Sequence, residues 1–172
     1  RDRLDLAVDV LERGLTRCVT LGYEGWQGLS WDTHAAGFLQ SFHLNELFGE
    51  LQRTMNKLQQ TSNYSGGRLL DEVTVVVVSE MGRFPQYNNR NGKEHWTYTS
   101  ALVMGSGIRG GQTIGQFDSN CFGQSIDLQS GELDSNGTKL LPGNLGATLL
   151  TLGDVNPQKY TDALPIQAII SS

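Results

Sequence analysis

The sequence has few cysteines, no long hydrophobic run and no excess of positive charge. Two cysteines in 172 residues, Cys18 and Cys121, are too few for a disulfide scaffold or a cysteine-rich zinc site. They leave open either one disulfide or two free thiols. The longest apolar stretches, residues 75–78 and the interrupted stretch 147–152, are far shorter than the about 18 residues that cross a bilayer. We therefore expect no membrane span.

The charge balance is weakly acidic, because 13 Lys and Arg stand against 18 Asp and Glu and give a formal net charge of −5. Nucleic-acid-binding domains usually carry a basic stripe and a pI above about 9. The pI near 5.1 therefore predicts no nucleic-acid partner. An apolar content of 38% with 18% charged residues excludes disorder by low hydrophobicity and provides for a folded core.

Hydrophobic spacing predicts two helices in the first sixty residues. Five apolar residues near the start share one helical face: Leu4, Ala7, Val8, Leu11 and Leu15. A longer helix is predicted for residues 37–60, whose apolar stripe keeps helical spacing for four turns. A short helix is predicted for residues 145–152, with Asn144 as its N-cap.

The clearest strand is predicted at residues 73–79, where β-branched residues follow one another without polar alternation. Such a run is typical of a strand buried on both faces, which usually means a parallel sheet covered by helices. A second strand is predicted at residues 100–104. Helices and strands in alternation predict an α/β architecture.

Polar residues that can carry chemistry gather where these strands are expected to end. Asp32 and His34 follow one short strand candidate, Glu80 directly follows residues 73–79, and Arg83 comes soon after. His95 ends a polar loop. Open α/β sheets place ligand sites at the carboxyl ends of strands. Carboxylates mixed with imidazoles suit Zn²⁺, Mn²⁺ or Fe, whereas Ca²⁺ and Mg²⁺ prefer oxygen ligands alone.

Each of these residues also has a purely structural interpretation. Asp32 can cap the helix that follows it, and His34 can be an ordinary loop histidine. Arg83 can bind an anion through its guanidinium, or it can pair with a carboxylate of the fold. His43 lies beside the stripe of the second helix and is expected to be a packing or surface histidine.

Four motifs lie in order along the chain: Trp31-Asp32-Thr33-His34, Ser79-Glu80-Met81-Gly82-Arg83, Asn91-Gly92-Lys93-Glu94-His95-Trp96 and Gly105-Ser106-Gly107-Ile108-Arg109-Gly110-Gly111. This series resembles the C-terminal half of a bacterial family, domain-of-unknown-function family 1501, a branch of the alkaline phosphatase and sulfatase superfamily. The resemblance runs from about residue 4 to residue 153. It implies a three-layer α/β/α sandwich with a largely parallel sheet. Residues 1–172 would then be the C-terminal part of one domain whose N-terminal part is missing.

The resemblance also implies a metal-dependent hydrolase of phosphate or sulfate esters. It makes Asp32, His34 and His95 ligands of one metal, places Glu80 at a second metal position, and gives Arg83 an anionic substrate group to hold. The expected cofactor is a divalent metal, zinc first, with manganese, iron or calcium as alternatives. The expected partners are the missing N-terminal half, which would supply the nucleophile, and a small anionic ester.

Met81 departs from this pattern, because a thioether is a poor ligand for a hard metal. Two alternatives therefore stay open: a catalytically inactive metal-binding or scaffolding module of the same fold, and a subunit of a larger assembly. Members of the family often carry an export signal, so the resemblance implies a periplasmic or secreted location.

Overall fold

The structure is a computed structural model that describes residues 3–171. Its helices are α1 (Arg3–Glu12), α2 (Leu39–Gln60) and α3 (Pro142–Leu152), and its strands are β1 (Thr74–Val78), β2 (Gly82–Arg83), β3 (His95–Trp96), β4 (Ala101–Gly105), β5 (Ser125–Ile126) and β6 (Thr138–Lys139). The chain divides into two compact units, Arg1–Ser106 and Gly107–Ser172. The assignment of all 172 residues to one part of a larger domain stays a prediction.

The first unit is built on α1 and α2, and both predicted helices form. The spacing is confirmed as far as Leu11, but α1 ends at Glu12, so Leu15 lies beyond it and is 71% exposed. Leu4 and Val8 of α1 are buried in one cluster with Leu58 of α2 and Leu69. Val73 and Val75, at the start of the valine run, pack against this cluster. The apolar contacts of α1 and α2 therefore also hold the start of β1.

The prediction of a three-layer α/β/α sandwich with a largely parallel sheet is wrong. Among residues 3–171 the sheets have two strands each, and all three are antiparallel: β1 with β4, β2 with β3, and β5 with β6. Parallel neighbours need a crossover, usually a helix, whereas the residues between β1 and β4 hold only the β2–β3 pair. The valine run marks a strand, but it does not fix the direction of the neighbouring strand.

The valine run is also less buried than predicted. Val75, Val76 and Val77 are half-buried, and 62% of Val78 is exposed. The faces of a strand are buried by the elements that pack on the sheet, and the helices of the first unit pack against Val73 and Val75 at the start of the run. The end of the run therefore stays partly in solvent.

The second unit has its own core, in which Ile126, Leu128, Ile166 and Ala168 are buried. Helix α3 begins at Pro142, three residues before the predicted start, because proline at the first helical position needs no partner for its nitrogen. Asn144 therefore lies inside the helix, and its Oδ1 accepts from the backbone N–H of Leu141 at 2.9 Å.

Neither cysteine is in a disulfide: Cys18 is exposed and Cys121 is half-buried. No helix within residues 3–171 combines the length and the apolar character that a membrane crossing needs.

Candidate histidine and carboxylate site

Four of the five predicted site residues come together in the first unit. Asp32, His34, Arg83 and His95 form one cluster of side chains. Glu80 is exposed in the bend after β1, and no hydrogen bond or ion pair within residues 3–171 joins it to the other four. One ground for expecting Glu80 here is a parallel sheet whose strand ends meet at one edge, and the sheets are antiparallel. The other ground, its place in the second motif, stays a prediction.

Asp32 and His34 form the centre of the cluster through two contacts. The Asp32 carboxylate accepts the backbone N–H of His34 at 3.1 Å and lies in a short contact with Nδ1 of the same residue. The backbone hydrogen bond from His34, followed by the side-chain one, lowers the pKa of Asp32 below its ordinary value. Asp32 thus holds the His34 ring and does not act as a helix N-cap.

Two groups lie against Nδ1 of His34: the Asp32 carboxylate, in a short contact, and Nη1 of Arg83, at 3.2 Å. The carboxylate accepts and the guanidinium only donates, so Nδ1 faces one partner of each kind. Nε2 of His34 lies 3.9 Å from Oε2 of Glu94, and 29% of the His34 side chain is exposed. The ring is therefore partly open to solvent.

The β2–β3 pair brings Arg83 and His95 to the same place, because the two residues are register partners. Nη1 of Arg83 donates to the Lys93 carbonyl at 3.1 Å, and Nη2 donates to the Asp32 carboxylate at 3.3 Å. Of its two interpretations, the structure therefore shows the pairing with a carboxylate. The His95 ring lies beside the His34 ring, with centroids 4.6 Å apart.

Behind the cluster, His43 anchors the segment that leads to Asp32. Its side chain is fully buried, its Nδ1 accepts from the backbone N–H of Trp26 at 2.8 Å, and its ring stacks on Trp31 at 4.7 Å. This confirms a packing role for His43. Together these contacts hold both ends of the segment against α2.

Two further residues belong to the cluster and were missed in the sequence. Glu94 faces His34, and the side-chain amide of Asn88 donates to the Glu94 carboxylate at 2.6 Å and to the His34 carbonyl at 2.9 Å. Glu94 precedes His95 in the third motif, so its place beside a predicted site residue could have identified it. No pattern in the sequence around Asn88 predicts its contact with His34, which is 54 positions away.

The donor types in this cluster suit a zinc-like metal, but their arrangement does not. No three His, Cys, Asp or Glu side chains within residues 3–171 are grouped so that they could hold a metal ion. Nδ1 of His34 is already engaged by Asp32, and the positive guanidinium of Arg83 lies against the same carboxylate. As arranged, these side chains fit the handling of a proton at His34 better than the binding of a cation.

Comparison with known proteins gives one match. A family model described as "Protein of unknown function (DUF1501)" matches residues 5–162. No curated protein and no solved structure shows a significant match.

Proposed function

We propose that this chain, which belongs to the DUF1501 family of proteins of unknown function, carries the proton-handling part of a hydrolytic site for phosphate or sulfate esters. The observation that carries the proposal is the cluster of His34 and His95 with Asp32 and Arg83, assembled from separate segments of the chain. The kinship with the alkaline phosphatase and sulfatase superfamily, and the place of this chain as a C-terminal part, belong to the same proposal.

In this site His34 acts as the general base or acid. An imidazole that is oriented by a carboxylate at one nitrogen and partly open to solvent suits proton transfer to or from a reacting group. In this proposal Asp32 orients the ring. Arg83 carries a positive charge beside the pair, and we propose that its guanidinium also attracts the anionic ester.

The attacking group comes from elsewhere in this proposal. No hydroxyl within the cluster is assigned as nucleophile, so a residue of the proposed N-terminal half or a water molecule attacks the ester. A divalent metal remains part of the expectation from the family resemblance, with Asp32, His34, Glu80 and His95 as its proposed ligands. Because the described side chains do not converge on one point, no step is derived through that ion.

The experiment measures hydrolysis of 4-nitrophenyl phosphate and 4-nitrophenyl sulfate by the full-length protein, together with its metal content by plasma mass spectrometry. Replacing His34 with Ala should lower turnover by about 100-fold or more, the usual effect of removing a general acid or base. Replacing Arg83 with Gln should also lower turnover, because it removes the charge that attracts the ester. Arg90→Gln is its matched control, since within residues 3–171 Arg90 donates to the site region through its backbone N–H, at Oδ1 of Asn88.

Three results would each overturn a different part of the proposal. Wild-type turnover in the His34→Ala variant would remove His34 from the chemistry. No turnover of either ester by the full-length protein, with zinc or manganese added, would favour the alternative of a binding or scaffolding module. Unchanged metal content in the His95→Ala variant would remove His95 from the proposed ligands.

A further inference from the structure

Three loops of the chain share one hydrogen-bond pattern, which we call the Asx loop: residues 63–67, 88–92 and 118–122. In each, the first residue is Asn or Asp, and its Oδ1 accepts the backbone N–H groups of the third and fifth residues. The backbone N–H of the first residue donates to the carbonyl of the fifth, and the fourth residue has a positive φ.

The Asx loop needs only the oxygen of its first side chain. Asp118 forms the full pattern with a carboxylate, which has no N–H to donate. The loop pattern therefore does not require a hydrogen bond from the amide nitrogen of Asn63 or Asn88. What each nitrogen contacts shows what the asparagine adds to the loop.

At residue 88 the amide nitrogen joins two segments of the candidate site. Nδ2 of Asn88 donates to the His34 carbonyl at 2.9 Å and to Oε1 of Glu94 at 2.6 Å. We infer that Asn88 is a positioning residue of the proposed hydrolytic site, which holds the Glu94–His95 segment against His34 through its side-chain amide. The two hydrogen bonds of Asn88 are observed whatever the function is. That they serve a hydrolytic site rests on the proposed function.

Other contacts keep the loop in place without this amide. The backbone N–H of Lys93 donates to the Thr33 carbonyl at 2.8 Å, and that of Gly37 donates to the Asn91 carbonyl at 2.8 Å. Loss of the Asn88 amide should therefore leave the loop docked. It should release the side chain of Glu94 and alter the approach of the neighbouring His95 ring to His34.

Asn88→Asp tests this, because it removes the two N–H donors and keeps the oxygen on which the loop depends. The new carboxylate also repels Glu94. Asn63→Asp is the matched control: it makes the same change in a loop whose amide nitrogen donates to Glu72 at 2.7 Å, outside the site.

The measurement is proton NMR of the intact protein with selectively labelled histidine, which shows three residues only. Wild type and Asn63→Asp should give a cross-relaxation signal between the His34 and His95 rings, and Asn88→Asp should lose it. The signal of buried His43 reports that each variant is folded. A second, uniformly ¹⁵N-labelled sample gives the Arg90 and Gly92 amides, whose slow exchange reports that the loop is intact. If Asn88 only stabilised its loop, Asn88→Asp would speed the exchange of the Arg90 and Gly92 amides as well. Loss of the ring-to-ring signal with slow amide exchange therefore indicates a positioning role.

An Asn88→Asp variant that is folded and keeps the ring-to-ring signal at wild-type strength overturns the inference. Should that variant unfold, Asn88→Ser, which keeps an acceptor oxygen without adding a charge, decides the question by the same signal. Absence of ester hydrolysis in the wild type would contradict the proposed function and leave the positioning result standing, so the two failures can be told apart.

Discussion

The Asx loops at residues 63–67 and 88–92 have the same internal hydrogen bonds but serve different parts of the fold. The amide nitrogen of Asn63 donates to Glu72 and Arg68, both within nine positions, whereas that of Asn88 reaches His34, 54 positions away. The first loop therefore closes a local turn after α2, and the second joins distant segments of the candidate site. The same local motif thus serves a local turn in one place and the candidate site in the other, according to what it is packed against.

The fifth residue shows the difference most clearly, because both loops have glycine there. A Cβ on Gly67 would meet the side chain of Asn63, whose nitrogen would be nearest at 3.0 Å. A Cβ on Gly92 would lie 2.2 Å from the backbone carbon and oxygen of His34, which cannot move without moving the site. Gly92 is thus required by close packing, and Gly67 is not.

The largest expected effect is therefore that of Gly92→Ala, compared with Gly67→Ala. Gly92→Ala should destabilise the protein by about 3 kcal/mol, the upper range for overpacking, because backbone atoms block the new methyl group. Gly67→Ala should cost less, about 1 kcal/mol, since the new methyl group meets a side chain at 3.0 Å and no backbone atom among its nearest neighbours. Urea unfolding of both variants measures the difference.

Equal destabilisation by the two alanines would contradict the comparison, because it would mean that the loops are packed alike. The same Gly92→Ala variant should lose the ring-to-ring signal between His34 and His95 if it remains folded.

The helices could be predicted from the sequence because their signal is local. The apolar face of α1 and the stripe of α2 are set by spacing within one element, and α2 was placed within two residues of its observed start. The direction of the sheet could not be predicted, because antiparallel pairing of β1 with β4 depends on what the intervening chain does.

The residues of the candidate site also divide into those that could be predicted from the sequence and those that could not. Asp32 and His34 are close in sequence, and Arg83 and His95 are joined by a short β pair, so their assembly follows from few steps. Glu80 is expected beside them on two grounds, the end of a parallel strand and its place in the second motif. No hydrogen bond or ion pair within residues 3–171 joins it to them. Asn88 could not be identified, because its pattern with Gly92 equals that of Asn63 with Gly67.

A smaller effect is expected at the fourth residue of each loop, where φ is positive: Gly66 at 87° and Asn91 at 56°. Gly66→Ala should cost about 1 kcal/mol, because a Cβ is disfavoured in the left-handed region. Asn91→Gly should change stability by less than about 0.5 kcal/mol, because the docking bond there uses the Asn91 carbonyl and not its side chain. Thermal unfolding of both variants is the measurement. A large loss in Asn91→Gly would show that the Asn91 side chain takes part in docking.

The smallest expected effect is on the acid sensitivity of unfolding, through the Arg68–Asp71 ion pair beside the first loop. The side-chain hydrogen bond from Arg68 lowers the pKa of Asp71 below its ordinary value. The stability that this pair contributes is therefore present above the unfolded pKa of about 3.9 and is lost as the pH falls through the lower folded value. Asp71→Asn should make the unfolding midpoint less sensitive to acid below about pH 4.

The effect of Asp71→Asn on acid stability should depend on the salt concentration. This dependence is expected beside the first loop and not beside the second. Both side chains of the Arg68–Asp71 pair are about half exposed, so added salt screens their attraction. At Asp32, beside the second loop, the largest cause of the lowered pKa is a hydrogen bond from the His34 backbone, which salt screens far less. Urea unfolding near pH 3 in low and high salt should therefore show a salt-dependent difference between Asp71→Asn and wild type. A difference that salt leaves unchanged would mean that Asp71, like Asp32, is held by geometry rather than by the charge of its partner.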